Sequence, residues 1–351
     1  MDIIIFVIAL SVLVLVHEFG HFFAAKAVGV KVEEFGLGLP PKIIGRKKWG
    51  TIWSLNWLPI GGFCKLEGEN PSDEAVKSKT SFMYKNPAQK ALVVLGGVLM
   101  NMVLAVAIFA VVYTILGVPR TTEQVKVLAV AKDSPAFVQE IKEGDWVSKV
   151  NGIVVKKPDE LTAEVSKYKG KSVELEIVRG DLKLSLPIEV RENPPKGEGS
   201  MGITISNTEM EKIKWYEFYK GIGAGFKEAY FWGKIIADGV FKMIGGVVTG
   251  HLPKDVSGPI GMYEATSSIK KNQGILAMVH FFGIVSVNLA VVNVLPFPAL
   301  DGGRIIFVIY EMITRKRANE RFENTVNTVG MLVLLGLILL ITVGDVWRLF
   351  K

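Results

Sequence analysis

The residues best suited to chemistry lie close together near the start of the chain. His17, Glu18 and His21 form an H-E-x-x-H pattern. In a helix of about 3.6 residues per turn, residues four apart project from the same face, so both imidazoles can bind one metal ion. Neutral imidazole suits zinc, and a neighbouring carboxylate can take a proton from an attacking water. The pattern predicts a hydrolytic zinc site.

The helix that carries this pattern is predicted to cross a membrane. The run from Ile3 to Lys26 is almost continuously apolar and long enough to span a hydrocarbon core. Charged groups at that depth are costly and are normally retained for function, which disfavours a chance occurrence of the pattern. A secretory signal peptide is also disfavoured, because the chain opens with Met1-Asp2 and its apolar core carries His17 and Glu18.

Three further apolar runs, at residues 91–116, 275–300 and 329–343, predict three more spans. The composition agrees, since 50% of the residues are hydrophobic, 21% are charged and the mean hydropathy is +0.35. We therefore expect an α-helical polytopic membrane protein with about four transmembrane helices.

The distribution of positive charge predicts the orientation. Lysine and arginine are concentrated between the first and second spans and between the third and fourth. By the positive-inside rule both loops are cytoplasmic, so both termini and the segment 118–272 lie outside. The H-E-x-x-H end of the first helix then faces the cytoplasmic side. Topology explains the net charge of +7 better than nucleic-acid binding does.

The other histidines and the cysteine do not complete a metal site. Cys64 is the sole cysteine, which excludes a multi-cysteine zinc site. His251 and His280 are expected on the outer side and are interpreted as structural or interfacial. A catalytic zinc site needs a third protein ligand, so we expect a carboxylate.

Carboxylates are rare in the predicted spans. None occurs between residues 74 and 123, and Asp301 is the only one between residues 264 and 311. Elimination therefore indicates Asp301 as the third ligand. Pro296 and Pro298 precede it and interrupt the helical hydrogen bonds, which is tolerated in a membrane only inside protein or beside a wet cavity. A proline-ended helix with an exposed Asp301 cap is the simpler alternative.

Together, HEFGH in the first span and N-x-x-P-x-P-x-L-D-G in the third resemble the site-2 protease family of intramembrane zinc metalloproteases. The likeness covers nearly the whole chain and is strongest to single-PDZ bacterial members similar to the regulator-of-sigma-E protease. It implies that His17, His21 and Asp301 bind Zn²⁺ and that Glu18 is the general base and later the proton donor. It also implies that Asn293 orients substrate or steadies the oxyanion.

A Gly-x-x-x-Asn element in the second span, Gly97 to Asn101, matches a further motif of that family. From the residues alone, Gly96 and Gly97 predict close helix packing, and Asn101 predicts an interhelical hydrogen bond. The candidates for substrate or oxyanion contacts are Asn293, Asn101, Gly36, Gly38, Pro296 and Pro298.

The first cytoplasmic loop contains β-prone pieces separated by glycine and proline between Lys31 and Leu66. They predict a small sheet or a re-entrant hairpin, and the resemblance implies a membrane-associated β-region. A helical substrate must unwind before hydrolysis, and an exposed strand edge can receive the unwound segment by β-augmentation. The alternative is a hairpin that only seals the cavity.

The long outer segment alternates in strand fashion from Gln124 to about Val190 and resembles a PDZ domain. Asn151-Gly152 predicts a hairpin turn, and residues 159–168 predict a short helix. PDZ domains capture extended peptides, although in this family the domain is also implied to act as a size filter. The aromatic stretch 215–248 predicts an amphipathic helix at the outer interface.

The resulting prediction divides the chain into eight segments. They are a first transmembrane helix (1–28), a cytoplasmic β-rich loop (31–90), a second transmembrane helix (91–117), a PDZ-like domain (120–192), a linker with the interfacial helix (193–274), a third transmembrane helix (275–303), a cytoplasmic loop (304–328) and a fourth transmembrane helix (329–349).

The predicted function is intramembrane zinc endopeptidase activity on single-span membrane proteins, in a bacterial inner membrane. As the resemblance implies, the substrates are anti-sigma factors or signal-peptide remnants. The expected partners are such transmembrane substrates and the lipid bilayer, without nucleic acid, and the oligomeric state stays open. A PDZ scaffold with a vestigial metal site is disfavoured by the intact Glu18. A metal-ion transporter would need more intramembrane carboxylates.

Overall fold

A computed structural model describes residues 2–69, 78–195, 197–249 and 258–349. The helices are α1 (Asp2–Ala27), α2 (Pro87–Leu116), α3 (Pro135–Val138), α4 (Pro158–Ser166), α5 (Phe218–Val248), α6 (Pro259–Gln273), α7 (Ile275–Val294), α8 (Asp301–Thr314) and α9 (Glu320–Leu349). The strands are β1 (Val32–Lys48), β2 (Thr51–Leu66), β3 (Val118–Val130), β4 (Trp146–Val150), β5 (Ile153–Val154), β6 (Ser172–Arg179), β7 (Leu182–Glu189) and β8 (Ile203–Glu211).

The chain divides into two compact units. The first comprises Met1–Ile115 and Lys214–Lys351, and the second comprises Leu116–Ile213. Among the described residues, four helices of the first unit are long and apolar enough to cross a membrane, namely α1, α2, α7 and most of α9. We call the first unit the helical unit and the second the inserted unit.

Glycine allows α1 and α2 to approach each other closely. A Cβ atom at Gly20 would lie 2.1 Å from the Gly96 carbonyl oxygen, and one at Gly96 would lie 2.5 Å from the Gly20 carbonyl oxygen. Any side chain at either position would therefore separate the helices. This contact brings the H-E-x-x-H turn of α1 directly against Gly97 of α2, as the predicted close packing requires.

The predicted β-region forms a sheet of β1 and β2 that packs against α1. Phe35 of β1 is paired with both Cys64 and Trp53, so the start of β1 lies between the two halves of β2. Phe35 and Trp53 pack against Phe19 and Phe22 of α1, with ring centroids 4.5 to 6.4 Å apart. This aromatic cluster holds the sheet beside the face of α1 that carries Glu18.

The third span differs from the sequence prediction. The predicted third transmembrane helix covers 275–303 with an interruption at its prolines, but in the structure α7 already ends at Val294 and a separate helix, α8, begins at Asp301. Pro296 and Pro298 supply no backbone N–H, so the helical ladder cannot continue through them. Much of the predicted loop 304–328 is helical as well, because α8 continues to Thr314 and α9 begins at Glu320.

Buried charges connect the helices of this unit. Lys90 of α2 lies 2.6 Å from Glu311 of α8, and its side chain is only 6% exposed. Asp345 of α9 is also buried and accepts hydrogen bonds from the backbone N–H groups of Gly258 and Gly261, at 2.9 and 3.1 Å. Asp345 thereby caps the N-terminus of α6 and attaches α9 to it.

The amphipathic stretch forms α5. Glycine again permits close packing, because a Cβ atom at Gly221 would lie 2.4 Å from Thr114 Oγ1, and one at Gly225 would lie 2.7 Å from the Val106 carbonyl oxygen. Many of its aromatic side chains remain exposed, among them Tyr230 at 76%. Its position at a membrane interface stays a prediction.

The inserted unit is an antiparallel sheet, with two short helices among its described residues. The strand order is β7-β6-β4-β3-β8, with β5 paired to β4. Asn151 and Gly152 have positive φ angles and form the predicted turn between β4 and β5. The predicted boundary at residue 192 is too early, because β8, expected in the linker, pairs with β3. Its alternation is too weak to be recognised without that partner.

Candidate metal centre

Three predicted ligands from two distant parts of the chain converge in the helical unit. The Asp301 Oδ2 atom lies 3.1 Å from His17 Nε2 and 3.5 Å from His21 Nε2. The two Nε2 atoms are 3.2 Å apart. Within the described residues, these three side chains form the one group of His, Cys, Asp or Glu that could hold a metal ion.

The distances between these atoms fit tetrahedral zinc. Nitrogen and oxygen ligands lie about 2.0–2.2 Å from zinc, so two ligands of a tetrahedral site are about 3.3–3.6 Å apart. The three measured separations are 3.1, 3.2 and 3.5 Å. Asp301 Oδ2 is buried yet meets the geometry of a hydrogen bond with neither ring. The residues present therefore fit the predicted ion.

The orientation of His21 supports the same conclusion. Its Nδ1 atom lies 2.8 Å from the Val93 carbonyl oxygen, which can only accept a hydrogen bond. In the neutral ring Nδ1 therefore carries the proton, and Nε2 presents a lone pair toward Asp301 Oδ2. Two acceptors facing each other repel, and a cation between them removes the repulsion.

Asn101 of α2 is placed to orient the other imidazole. Its side-chain nitrogen lies 3.2 Å from His17 Nδ1, while its buried Oδ1 has no hydrogen-bond partner. If His17 binds a metal through Nε2, its Nδ1 carries a proton and needs an acceptor. A half-turn of the amide places Oδ1 at that position and pairs both groups. Ser286 of α7 contacts only the backbone of the same residue, because its Oγ donates to the Asn101 carbonyl oxygen at 2.8 Å.

Gly97 leaves room for the ligand atoms. A Cβ atom at this position would lie 2.5 Å from His21 Nε2 and 2.6 Å from His17 Nε2. No other amino acid fits without displacing the imidazoles. The family motif highlights Gly97, but its contact with both ligand atoms appears only when α1 and α2 are packed together.

A cavity of about 390 Å³ adjoins the three ligands. Glu18, Asn101 and Asn293 line it, together with residues of the β2 segment 62–66. A Cβ atom at Gly62 would lie 3.8 Å from Glu18 Cγ, so this strand passes directly beside the predicted base. Glu18 is half-buried and borders this cavity.

The remaining predicted contact residues, Gly36, Gly38, Pro296 and Pro298, do not line the cavity. A Cβ atom at Gly36 would lie 2.3 Å from the Phe63 ring, and one at Gly38 would lie 2.3 Å from the Leu58 carbonyl oxygen. Both glycines therefore permit the close pairing of the sheet. Pro298 packs against α9, because a Cβ atom added at Gly330 would lie 2.3 Å from the Cβ atom of Pro298. Pro296 is exposed.

Sequence reasoning missed Glu69 and Arg304, which also line the cavity and pair with each other. In the sequence, Arg304 contributes only to the charge bias from which the topology is predicted. No spacing rule links it to Glu69. His280 Nε2 lies 3.2 Å from Glu228 Oε1 of α5, and its ring packs against Phe109 of α2, which fits its structural interpretation. His251 lies outside the described residues.

Comparison with known proteins decides the family. The model of peptidase family M50 matches residues 5–337. The chain belongs to peptidase family M50. This is the site-2 protease family, whose members depend on zinc, so the predicted family, enzyme class and cofactor are confirmed. The protein is a membrane zinc metalloprotease.

Individual relatives agree with this assignment. A protein of Clostridium perfringens strain 13, named "putative zinc metalloprotease", is 37% identical over 348 residues, which covers 99% of this chain and 98% of the relative. A relative of the same description from Clostridium acetobutylicum is 33% identical and covers 98% of this chain and 97% of its own length.

Among solved structures, the PDZ domain of an SdrC-like protein from Listeria monocytogenes is 28% identical to the part it matches. The match covers 24% of this chain and 90% of that domain, with a TM-score of 0.22.

Proposed function

We propose that this M50 peptidase cleaves the transmembrane segments of single-span membrane proteins inside the bilayer. One observation carries the proposal: His17 Nε2, His21 Nε2 and Asp301 Oδ2 converge within 3.5 Å of one another, and both histidines belong to a helix apolar enough to cross the membrane. A hydrolytic centre in that position acts on peptide bonds at bilayer depth. Anti-sigma factors and signal-peptide remnants have the single span that this substrate class requires.

In this proposal His17, His21 and Asp301 hold the ion, and Glu18 handles protons. Bound zinc polarises a peptide carbonyl and makes water acidic enough to attack near neutral pH. The Glu18 carboxylate takes a proton from the attacking water and delivers it to the leaving amine. In this proposal Asn293, which lines the same cavity, donates its amide N–H to the carbonyl oxygen of the substrate.

The β2 segment from Gly62 to Leu66 is the proposed substrate platform. One edge of this segment pairs with β1, and within the described part of the chain no strand pairs with its other edge. Phe63 and Cys64 line the cavity beside Glu18. A substrate segment that has lost its helical hydrogen bonds can replace them along this open edge. The strand then holds the scissile bond extended and next to the base.

The proposed setting is a bacterial inner membrane, with the active site toward the cytoplasm and the termini and inserted unit outside. Charge bias supports this orientation. Membrane-impermeant thiol labelling tests it in a Cys64→Ser background. We expect a cysteine in place of Lys156 to be labelled in intact cells and one in place of Lys47 to be protected. The opposite pattern would reverse the orientation.

The function is tested by hydrolysis in reconstituted vesicles. A single-span substrate is incubated with the wild type and with Glu18→Gln, and the fragments are mapped by mass spectrometry. We expect the wild type to cleave within the apolar span. Glu18→Gln should retain zinc and fold but lose about 10²–10⁴ in kcat, because only proton transfer is removed. Cleavage restricted to residues outside the span, or normal turnover by Glu18→Gln, would refute the proposal.

A further inference from the structure

Glu69 and Arg304 form an ion pair in the wall of the catalytic cavity. Arg304 Nη1 donates to Glu69 Oε1, and both side chains line the cavity. The same two residues line a second cavity of about 120 Å³. The pair therefore lies in the partition between the two spaces. The Glu69 side chain is only 15% exposed, so removal of this partner would leave a carboxylate with little access to water unpaired.

On one side the pair is fixed to the end of the open strand. Glu69 Oε2 accepts a hydrogen bond from the backbone N–H of Leu66, the last residue of β2, at 3.1 Å. The Glu69 N–H donates back to the Leu66 carbonyl oxygen at 3.3 Å. Gly68, with φ +67°, forms the turn between them, and a Cβ atom there would lie 2.0 Å from Ser81 Oγ. The carboxylate thus moves only with the end of β2.

On the other side the pair is fixed to the turn that carries the third metal ligand. Asp301 and Arg304 both lie in the first turn of α8. Gly302 and Gly303 between them pack tightly, since a Cβ atom at Gly302 would lie 2.1 Å from the Leu295 carbonyl oxygen and one at Gly303 2.3 Å from that of Phe297. This turn is therefore rigid, and Arg304 keeps a fixed position relative to Asp301.

We propose that Glu69 and Arg304 are positioning residues, which clamp the open edge of β2 at a fixed distance from Asp301 and close that end of the cavity. The inference rests on the proposed function, in which this edge receives the substrate. The ion pair connects the strand end to the metal-ligand turn through side chains. Its loss lets the strand move away from the hydrolytic centre without removing a ligand or the base.

Cys64 provides a readout that does not depend on catalysis. It is the sole cysteine of the chain, is half-buried in β2 and lines the cavity. Its rate of alkylation by N-ethylmaleimide in the full-length protein therefore measures how far the cavity is open. We expect Glu69→Gln and Arg304→Gln each to raise this rate severalfold, with Arg304→Lys close to the wild type because it keeps the ion pair.

Comparison of Glu69→Gln with Arg304→Gln distinguishes an opening of the cavity from a change in the charge near Cys64. Burial, followed by the charges of Glu18 and Glu69, raises the pKa of the Cys64 thiol. A purely electrostatic effect would accelerate alkylation in Glu69→Gln and slow it in Arg304→Gln, because the two substitutions remove opposite charges. Opening of the cavity would accelerate alkylation of Cys64 in both variants. The double variant should then exceed neither single variant, since both break the same contact.

Kinetics and a matched control complete the test. We expect both variants to keep their zinc and to raise KM severalfold, with kcat within a factor of about two. Glu33→Gln removes another ion pair on the same sheet, Glu33 to Lys65 at 3.0 Å, whose residues do not line the cavity, and should change neither alkylation nor KM. Unchanged or oppositely shifted alkylation, additive effects or loss of zinc would overturn the clamp. Absence of substrate cleavage by the wild type, with the alkylation pattern as expected, would refute the proposed function alone.

Discussion

Asp301 Oδ2 lies 3.1 Å from His17 Nε2, although the two residues come from opposite ends of the chain and form no hydrogen bond with each other. The two atoms instead point at a common centre with His21 Nε2, at separations that suit tetrahedral zinc. Packing of α1 against α2, and the break between α7 and α8, bring these groups together.

The metal ligands give the first prediction. Purified protein should contain one zinc per chain, and His21→Ala and Asp301→Ala should each lose it, because two remaining protein ligands hold zinc weakly. Elemental analysis after gel filtration measures the content. Asn293→Ala, which alters the same cavity without removing a ligand, is the matched control and should keep its zinc. Full zinc content in Asp301→Ala would exclude this residue from the coordination sphere.

The second prediction concerns the acceptor for His17. Asn101→Ala should weaken zinc affinity by about 10–100-fold, because Nδ1 of the ligand loses its partner, whereas Asn101→Asp keeps an acceptor and should bind nearly as tightly as the wild type. Competition with a chelator measures the affinity. Ser286→Ala removes a hydrogen bond to the backbone of Asn101 but leaves its side chain in place, so it should behave as the wild type. Equal affinities for the Ala and Asp variants would contradict the orienting role.

The third prediction concerns the buried carboxylate of α9. Asp345→Leu should destabilise the helical unit by about 1–3 kcal/mol, because it leaves the N–H groups of Gly258 and Gly261 without their acceptor. Asp345→Asn keeps one acceptor and should cost less. Thermal unfolding in detergent measures both. A Leu variant as stable as the wild type would show that water satisfies these groups equally well.

The fourth prediction is a pH dependence in the inserted unit. Burial alone raises the pKa of Asp145, but hydrogen bonds from Arg179 and from the Lys142 N–H outweigh it and hold the pKa below 3.8. A carboxyl group whose pKa is lowered by folding stabilises the fold above its unfolded pKa, and the stabilisation is lost as the pH falls through the folded value. Stability of this unit should therefore fall below about pH 4.

Hydrogen exchange of the β4 and β6 amides in the full-length protein measures this loss. Asp145→Asn should be less stable at neutral pH by about 3 kcal/mol, because Arg179 loses the charge that compensates its desolvation, and it should show a flatter pH profile. Lys126→Gln, which breaks a more exposed ion pair with Glu209 in the same unit, is the control. A wild-type profile in Asp145→Asn would contradict the assignment.

The fifth prediction asks whether the inserted unit filters or binds substrates. If it is a size filter, replacing residues 116–213 with a flexible linker should preserve cleavage of a trimmed substrate and permit cleavage of one with a bulky outer domain. If it is a docking site, KM should rise for both substrates. We expect the filter. Loss of trimmed-substrate cleavage, with zinc content unchanged, would decide for docking.

The sequence by itself determined the chemistry and its setting. The four-residue spacing of His17 and His21 fixes a shared helical face, and the apolar runs fix the spans, because both follow from local periodicity and transfer free energy. Elimination also selected Asp301, since few carboxylates occur in the spans. These properties require no knowledge of which helix contacts which.

Only the tertiary structure decided how the site is enclosed. The contact of Gly97 with both imidazoles, the pairing of Asn101 with His17 and the Glu69–Arg304 ion pair all join segments far apart in the chain. The weakly alternating β8 likewise becomes a strand only beside β3. Such contacts depend on the approach of packed elements, and residue spacing along a single chain carries no information about that approach.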